Sequence, residues 1–316
     1  MNKLKKLGLT ALASSLVVTS ASAGALSVSG GASLGVKNDS NSANGKSWTM
    51  GNSVTISGGG ELDNGLSVSI SFELDNGDSN STTTPFDNHS LTVSSDSLGS
   101  LTFFGHGGST AVGGASPLDL WDNGSGANSP DRANPANNML KYTLPSIVDG
   151  LAAVVSYTPN SSAGMVDSDS AWNLTYTGVE GLSVSYGQGT DSDIVTTAST
   201  SDGKGDHDKL VISYAYGPIT AQWSDSEYTG GTAAYNEEVN TWKLSYTVSE
   251  NISVTYAEET HEEATSAVDE EFSAITASYT SGGVTLSLGQ WSGENMGNSA
   301  TVKDHERWKL GASFAF

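Results

Sequence analysis

Arg307-Trp308-Lys309-Leu310-Gly311-Ala312-Ser313-Phe314-Ala315-Phe316 is the last stretch of the sequence, and it alternates without a break. Trp308, Leu310, Ala312, Phe314 and Phe316 fall on one face; Arg307, Lys309, Gly311, Ser313 and Ala315 fall on the other. Successive side chains of a strand point to opposite faces, so this is a strand with one oily and one polar side. A half-buried edge strand of a soluble sandwich has the same period. Trp, Leu, Phe and Phe sharing one face is heavier than such an edge needs. A barrel in an outer membrane turns a face of this kind to lipid.

The other end of the sequence favours the membrane reading. Met1-Asn2-Lys3-Leu4-Lys5-Lys6 is a short basic start, Leu7 to Val18 is mostly apolar and small, and Ala21-Ser22-Ala23 is an A-x-A site. This is the pattern of a secretory signal peptide, with cleavage expected after Ala23 and a mature domain over residues 24–316. The apolar run is too short to anchor the chain, and no later run is long enough for a membrane helix. A barrel remains open, because its signal per strand is weak. With no Cys in the sequence, disulfides and cysteine metal sites are excluded.

The net charge of −22 includes three lysines in the first six residues, so the mature chain is more acidic still. There is no basic patch, and nucleic acid is excluded as a partner. A hydrophobic share of only 36 % with abundant Gly, Ser, Thr and Asn could mean disorder. It also fits a sheet that is apolar at every second residue and wet on its other face.

A repeat decides between these. After a turn residue, apolar residues alternate with Ser, Thr or small ones: Gly65-Leu66-Ser67-Val68-Ser69-Ile70, Gly181-Leu182-Ser183-Val184-Ser185-Tyr186, Asn251-Ile252-Ser253-Val254-Thr255-Tyr256. Partner strands of the same period precede them, as in Trp172–Tyr176, Leu210–Tyr214 and Trp242–Tyr246. The turns between are short, such as Asp63-Asn64-Gly65 and Asp149-Gly150, and most offer a place for positive φ. The other connectors are long, polar and mostly acidic, among them Lys37–Lys46, Gly107–Asn138, Glu258–Glu270 and Gly293–Asp304. The pattern predicts an all-β antiparallel transmembrane barrel of about sixteen strands, wide enough to leave an aqueous channel. Short turns lie at one end and long loops at the other, as outer-membrane barrels arrange them. Leu66, Val68, Ile70 and Phe72 then face lipid while Ser67, Ser69, Ser71 and Glu73 face water.

With its terminal Phe, alternating last strand, strand count and signal peptide, the mature chain resembles the general diffusion porins of Gram-negative bacteria. The resemblance is architectural and carries no single strict motif. It implies a passive pore for small hydrophilic solutes and ions, without cofactor or energy source, made as a homotrimer among outer-membrane lipid and lipopolysaccharide. It implies that the long third loop folds into the barrel. That loop, Gly107–Asn138, holds Asp119, Asp122, Asp131 and Arg132 as candidates for the constriction. Family porins set basic wall residues opposite the acidic loop; here alternation turns Lys141, Lys209, Lys243, Arg307 and Lys309 inward. The chain departs from the pattern in having no Arg before Arg132, which argues against strong anion selectivity. Its acidity predicts a preference for cations.

Two other readings are weighed. Catalysis would need a His joined to an acid or a Ser, but His89, His106, His207, His261 and His305 each stand alone in sequence. His261-Glu262-Glu263 begins like a zinc-protease motif and lacks the second His, so no enzyme is expected. The acidic run around Glu258, Glu259, Glu262 and Glu263 reads first as a solvated loop; clustered carboxylates would also suit Ca²⁺ beside lipopolysaccharide. A solute-specific channel of the same fold, or a secreted β-rich adhesin, are the alternatives to a general pore.

All eleven Tyr lie after residue 140. The outward faces of the first strands are instead small and smooth: Leu26, Val28, Gly30, Ala32, Leu34, then Val54, Ile56, Gly58, Gly60, Leu62. Headgroups favour Tyr and Trp, and close helix or barrel contacts favour small residues. The wall of the first five strands is therefore expected to meet identical subunits.

Overall fold

The computed structural model describes residues 26–40, 46–75, 86–114, 137–159, 168–191, 205–301 and 304–316. The expected signal peptide, residues 1–23, lies outside the described residues. The strands are β1 (Leu26–Asp39), β2 (Lys46–Glu61), β3 (Ser67–Asp75), β4 (Asn88–Ser95), β5 (Gly99–His106), β6 (Met139–Thr143), β7 (Leu151–Thr158) and β8 (Asp169–Tyr176). They continue as β9 (Leu182–Asp191), β10 (Gly205–Tyr216), β11 (Ile219–Thr229), β12 (Glu237–Ser249), β13 (Ile252–Glu263), β14 (Glu270–Ser281), β15 (Val284–Glu294) and β16 (His305–Ala315). Each pairs antiparallel with its sequence neighbours, and β1 pairs with β16 to close the barrel.

Closure leaves no open sheet edge, which lipid would not tolerate. It is completed by two backbone bonds between Gly30 and Phe316, at 3.1 and 3.0 Å. A Cβ on Gly30 would come within 2.7 Å of the Phe316 ring, so glycine leaves room for the last aromatic. At the short-turn end, Gly65 takes φ +80 and donates its N–H to Leu62 O at 2.8 Å. A side chain there would strain the backbone, which is why the turn Asp63-Asn64-Gly65 ends in glycine.

The outer face carries the exposed apolar residues, among them Leu26, Val28, Ile70, Phe103, Leu244, Ile275 and Leu310. Above them, Trp172 meets Tyr186 edge to face, and Trp242 meets Tyr256, with ring centroids 5.6 and 5.4 Å apart. Their polar tips find acceptors: Tyr186 donates to Asp208 at 2.7 Å, and Trp242 donates to Glu258 at 3.1 Å. This is an interfacial girdle, apolar at one end and wet at the other.

Among the described residues the inner face carries only small apolar clusters. Near the short-turn end, hydroxyls face each other across the ladders and bond directly: Ser27 with Ser57, Thr92 with Thr102, Ser245 with Thr255 and Ser253 with Ser278, at 2.8 to 2.9 Å. Each such cross-strand pair contributes on the order of 0.2–1 kcal/mol. The polar face of the alternation is thus stitched strand to strand and still presents oxygen to water.

Candidate functional site

The site is the lumen, and it is built from one loop and the wall it lies on. After β5 the chain turns inward. Ala111 and Val112 are fully buried, packing with Ala171 and Val154 on the inner faces of β8 and β7. Ala111 N–H donates to Ser156 Oγ at 2.9 Å. Gly189 of β9 makes the space: a Cβ there would lie 2.7 Å from Val112 Cγ2 and 2.9 Å from Ala171. On the side the loop has just left, Lys141 of β6 donates to Ser109 O at 3.0 Å. The start of the third loop therefore leaves the wall at β5 and crosses inside to β7–β9. It returns where Asn137 Oδ1 accepts from Gly107 N–H at 3.0 Å.

Asp119, Asp122, Asp131 and Arg132 lie outside the described residues. The five expected wall bases all lie on inward positions of their strands, but they are not equally wet. Lys309 is exposed in the lumen, and Lys141 and Lys243 are half-buried. Lys209 is 1 % exposed and cannot line the water. Arg307 is buried, with its guanidinium 5.2 Å from the Trp291 ring on the neighbouring inward row. Alternation gives a side chain its face, not its depth beneath other chain.

Strand continuation corrects the expected loop Glu258–Glu270. Pairing of β12 with β13 runs on to Glu237↔Glu263, so Glu258 to Glu263 are strand. The period of two then splits the expected calcium set. Glu258 and Glu262 point outward, Glu258 taking the Trp242 and Tyr256 donors. Glu259 and Glu263 point inward, Glu259 accepting from Thr241 Oγ1 at 2.9 Å. Among the described residues no group of three or more His, Cys, Asp or Glu could hold a metal ion.

Two inward residues, Lys37 and His261, were not read as such in the sequence, and Glu73, read as inward, gains a partner. Lys37 is the ladder partner of Lys309; it had been placed at the start of a loop, but β1 continues to Asp39. Glu73 accepts from Asn88 Nδ2 at 2.6 Å on the β3–β4 wall. His261 is not isolated in space: its Nδ1 lies 3.1 Å from Glu270 Oε2, both nearly fully buried. His261 and Glu270 face each other across the β13–β14 ladder, a pairing that only the register reveals.

A sequence profile described as Gram-negative porin matches residues 8–280. No curated protein sequence matches. Among solved structures, the anion-selective porin from Comamonas acidovorans is similar, with TM-score 0.67 and 15 % identity over 92 % of this chain and 99 % of that one. The trimer form of OmpT from Vibrio cholerae gives TM-score 0.67 and 16 % identity, covering 93 % and 100 %. OmpF of Salmonella typhi, in complex with daunomycin, gives TM-score 0.70 and 11 % identity, covering 93 % and 98 %. At such identities the likeness is one of fold.

Proposed function

Because the chain belongs to the Gram-negative porin family, a multi-pass barrel of the outer membrane that passes solutes by diffusion, we propose that it is a general, cation-preferring pore for small hydrophilic solutes and ions. The observation that carries this is the closed barrel, oily outside and lined inside by paired hydroxyls, with the start of the loop after β5 packed on the inner wall. Hydroxyls replace part of a solute's hydration without binding it tightly, which suits passage rather than retention. No chemistry is performed on the solute.

The cation preference rests on charge. The chain carries −22, and Glu61, Glu73 and Asp75 stand on the inner face of β2 and β3. It should weaken as salt shortens the Debye length. In planar bilayers, steady ohmic conductance and a cation-favouring reversal potential in a KCl gradient are expected; an anion-favouring potential would sink the preference. Conductance blocked saturably by one solute would mark a solute-specific channel instead, and liposome swelling with graded sugars sets the size limit.

The same reading includes a homotrimer joined through β1–β5. Beside β2–β4 and the turn after β2, Gly58, Gly60, Leu62, Val68, Ile70 and Leu91 border a hollow of about 570 Å³, where a neighbour's side chains would fit. A solved trimer of similar fold supports three copies. Export with loss of residues 1–23 completes the proposal; the mass of the mature protein should place its start at Gly24.

A further inference from the structure

Where β16, β1 and β2 meet, the inner wall is floored by glycine and serine. The register sets Gly35 beside Gly311, Ser33 between Ser313 and Gly51, and Gly31 beside Ser53, all on inward positions. The glycines are needed because hydroxyls lean over them. A Cβ on Gly51 would lie 2.9 Å from Ser33 Oγ, and one on Gly35 would lie 2.7 Å from Thr49 Oγ1. With Glu73 and Asp75 of β3, the part of this floor around Gly31 and Gly51 borders a hollow of about 300 Å³. That is the low end of the range for small-molecule sites.

Charge is sorted to the two ends of this floor. At one end Lys37 and Lys309 are ladder partners. The Lys309 stem leans across to β1, its Cε 3.6 Å from where a Gly35 Cβ would stand. Like charges directly opposed on a ladder are destabilising, and among the described residues neither ammonium has a carboxylate partner. At the other end Asp75 is exposed and pairs in the ladder with Ser53. Glu73, the next inward residue of β3, accepts from Asn88 with one oxygen and keeps the other for the lumen. From Gly35 to the level of Asp75 is four residues along β1 and two strands across, about 13 and about 10 Å. The diagonal, less about 3 Å for a charge-assisted contact at each end, leaves about 10 Å.

We propose that the wall of β16, β1, β2 and β3 is a trough for short zwitterionic peptides, their carboxylate end held by Lys37 and Lys309 and their ammonium end by Asp75 and Glu73. This names a solute class for the proposed pore and rests on that reading. An extended chain covers about 10 Å in about three residues. The glycines let its backbone lie close to the wall. Ser33, Ser53 and Ser313 offer hydroxyls that both donate and accept, as the N–H and C=O groups of a peptide require. A simple cation or anion meets only one end of the trough and is not held across it. The contacts are to the termini and the backbone, so peptides of one length are held alike whatever their side chains, and the pore stays general.

The test has an arm that needs no conductance. In the full-length protein in detergent, binding of trialanine is followed by saturation-transfer NMR, beside N-acetyltrialanine, trialanine amide and the doubly capped peptide. Trialanine should bind at least about tenfold more tightly than the doubly capped form, since both charged contacts are lost together. Lys37→Gln with Lys309→Gln should weaken trialanine and leave trialanine amide unchanged. Asp75→Asn should weaken trialanine and leave N-acetyltrialanine unchanged. These side chains are exposed or half-buried, and circular dichroism checks that the barrel is intact. Equal binding of trialanine and its doubly capped form, or variants whose effect ignores which end is capped, overturns the trough. In bilayers, trialanine should lower the open-channel current saturably. Conductance without end-specific binding sinks the trough and leaves the pore. End-specific binding with no conductance from the protein upholds the trough and sinks the pore reading.

Discussion

Strands β1–β5 and strands β7–β14 belong to one continuous sheet, yet their faces are finished oppositely. Outside, the first group has no Tyr and one Trp, Trp48, and its surface is stepped down by Gly30, Gly58 and Gly60. The second group carries Tyr157, Trp172, Tyr176, Tyr186, Tyr214, Trp223, Trp242, Tyr246, Tyr256 and Tyr279. Inside, the first group is open to the lumen. The second is covered, with Ser156, Asn173, His207, Lys209, Ser224, Thr241 and Ala257 all buried. A water-filled barrel has no core to stiffen it, so each stretch of wall must be supported from one side or the other. Within the second group, β7–β9 carry Ala111 and Val112, and β14 carries Met296, folded onto them from inside. Among the described residues the first has no such cover, and its smooth exterior is where support from another subunit fits.

The largest effect is expected where that contrast is broken from outside. Gly58→Trp puts an indole on the smooth wall, in the row Leu26–Gly58–Ile70. Close packing of small residues would be lost there, and the slow-migrating oligomer band on mild-detergent gels should disappear. An unchanged band, with the new Trp fluorescing as a lipid-exposed residue does, would show that β1–β5 face lipid like the rest.

Next in size is a break from inside. Gly189→Leu drives a side chain into Val112 and Ala171, and overpacking of this kind costs about 1–3 kcal/mol. The third loop should detach from β7–β9, read as a rise in open-channel noise with the fold intact by circular dichroism. Ser156→Ala removes the acceptor of the Ala111 N–H and should act in the same direction. The cost of leaving that buried donor unpaired is about 1–3 kcal/mol. If neither variant alters the current, the loop start is not what shapes the lumen.

The two halves were unequally legible in the sequence, for physical reasons. Lipid demands an apolar residue at every second position, so the strands and their faces can be read wherever they cross the membrane. Above the membrane that demand ends while the ladder hydrogen bonds continue. Glu258 to Glu263 therefore look like a loop and fold as strand, and Lys37 was left outside β1 for the same reason. Depth is the other gap. Lys209 and Lys309 have the same alternation signature, yet one is buried and the other exposed. What covers a lumen residue is decided by contacts remote in sequence, such as Ala111 on Ser156 or Met296 over Gly293. No local pattern encodes them.

The smallest effect sharpens the comparison most directly, because one substitution can be made in both halves. Thr92 of β4 bonds Thr102 across an open stretch of lumen, at 2.9 Å. Thr241 of β12 is buried and donates to the Glu259 carboxylate, also at 2.9 Å. Val is nearly the same shape as Thr and removes only the hydroxyl. At Thr92, water can replace the lost partner, and the cost should stay below about 1 kcal/mol. At Thr241 water has no access, and a hydrogen bond to a charged group is lost, which costs about 1.5–3 kcal/mol. Urea unfolding from lipid vesicles, followed by Trp fluorescence, should therefore move its midpoint clearly for Thr241→Val and barely for Thr92→Val. Equal shifts would mean that the inner face of β12 is as wet as that of β4, and the covered half of the barrel would be covered in name only.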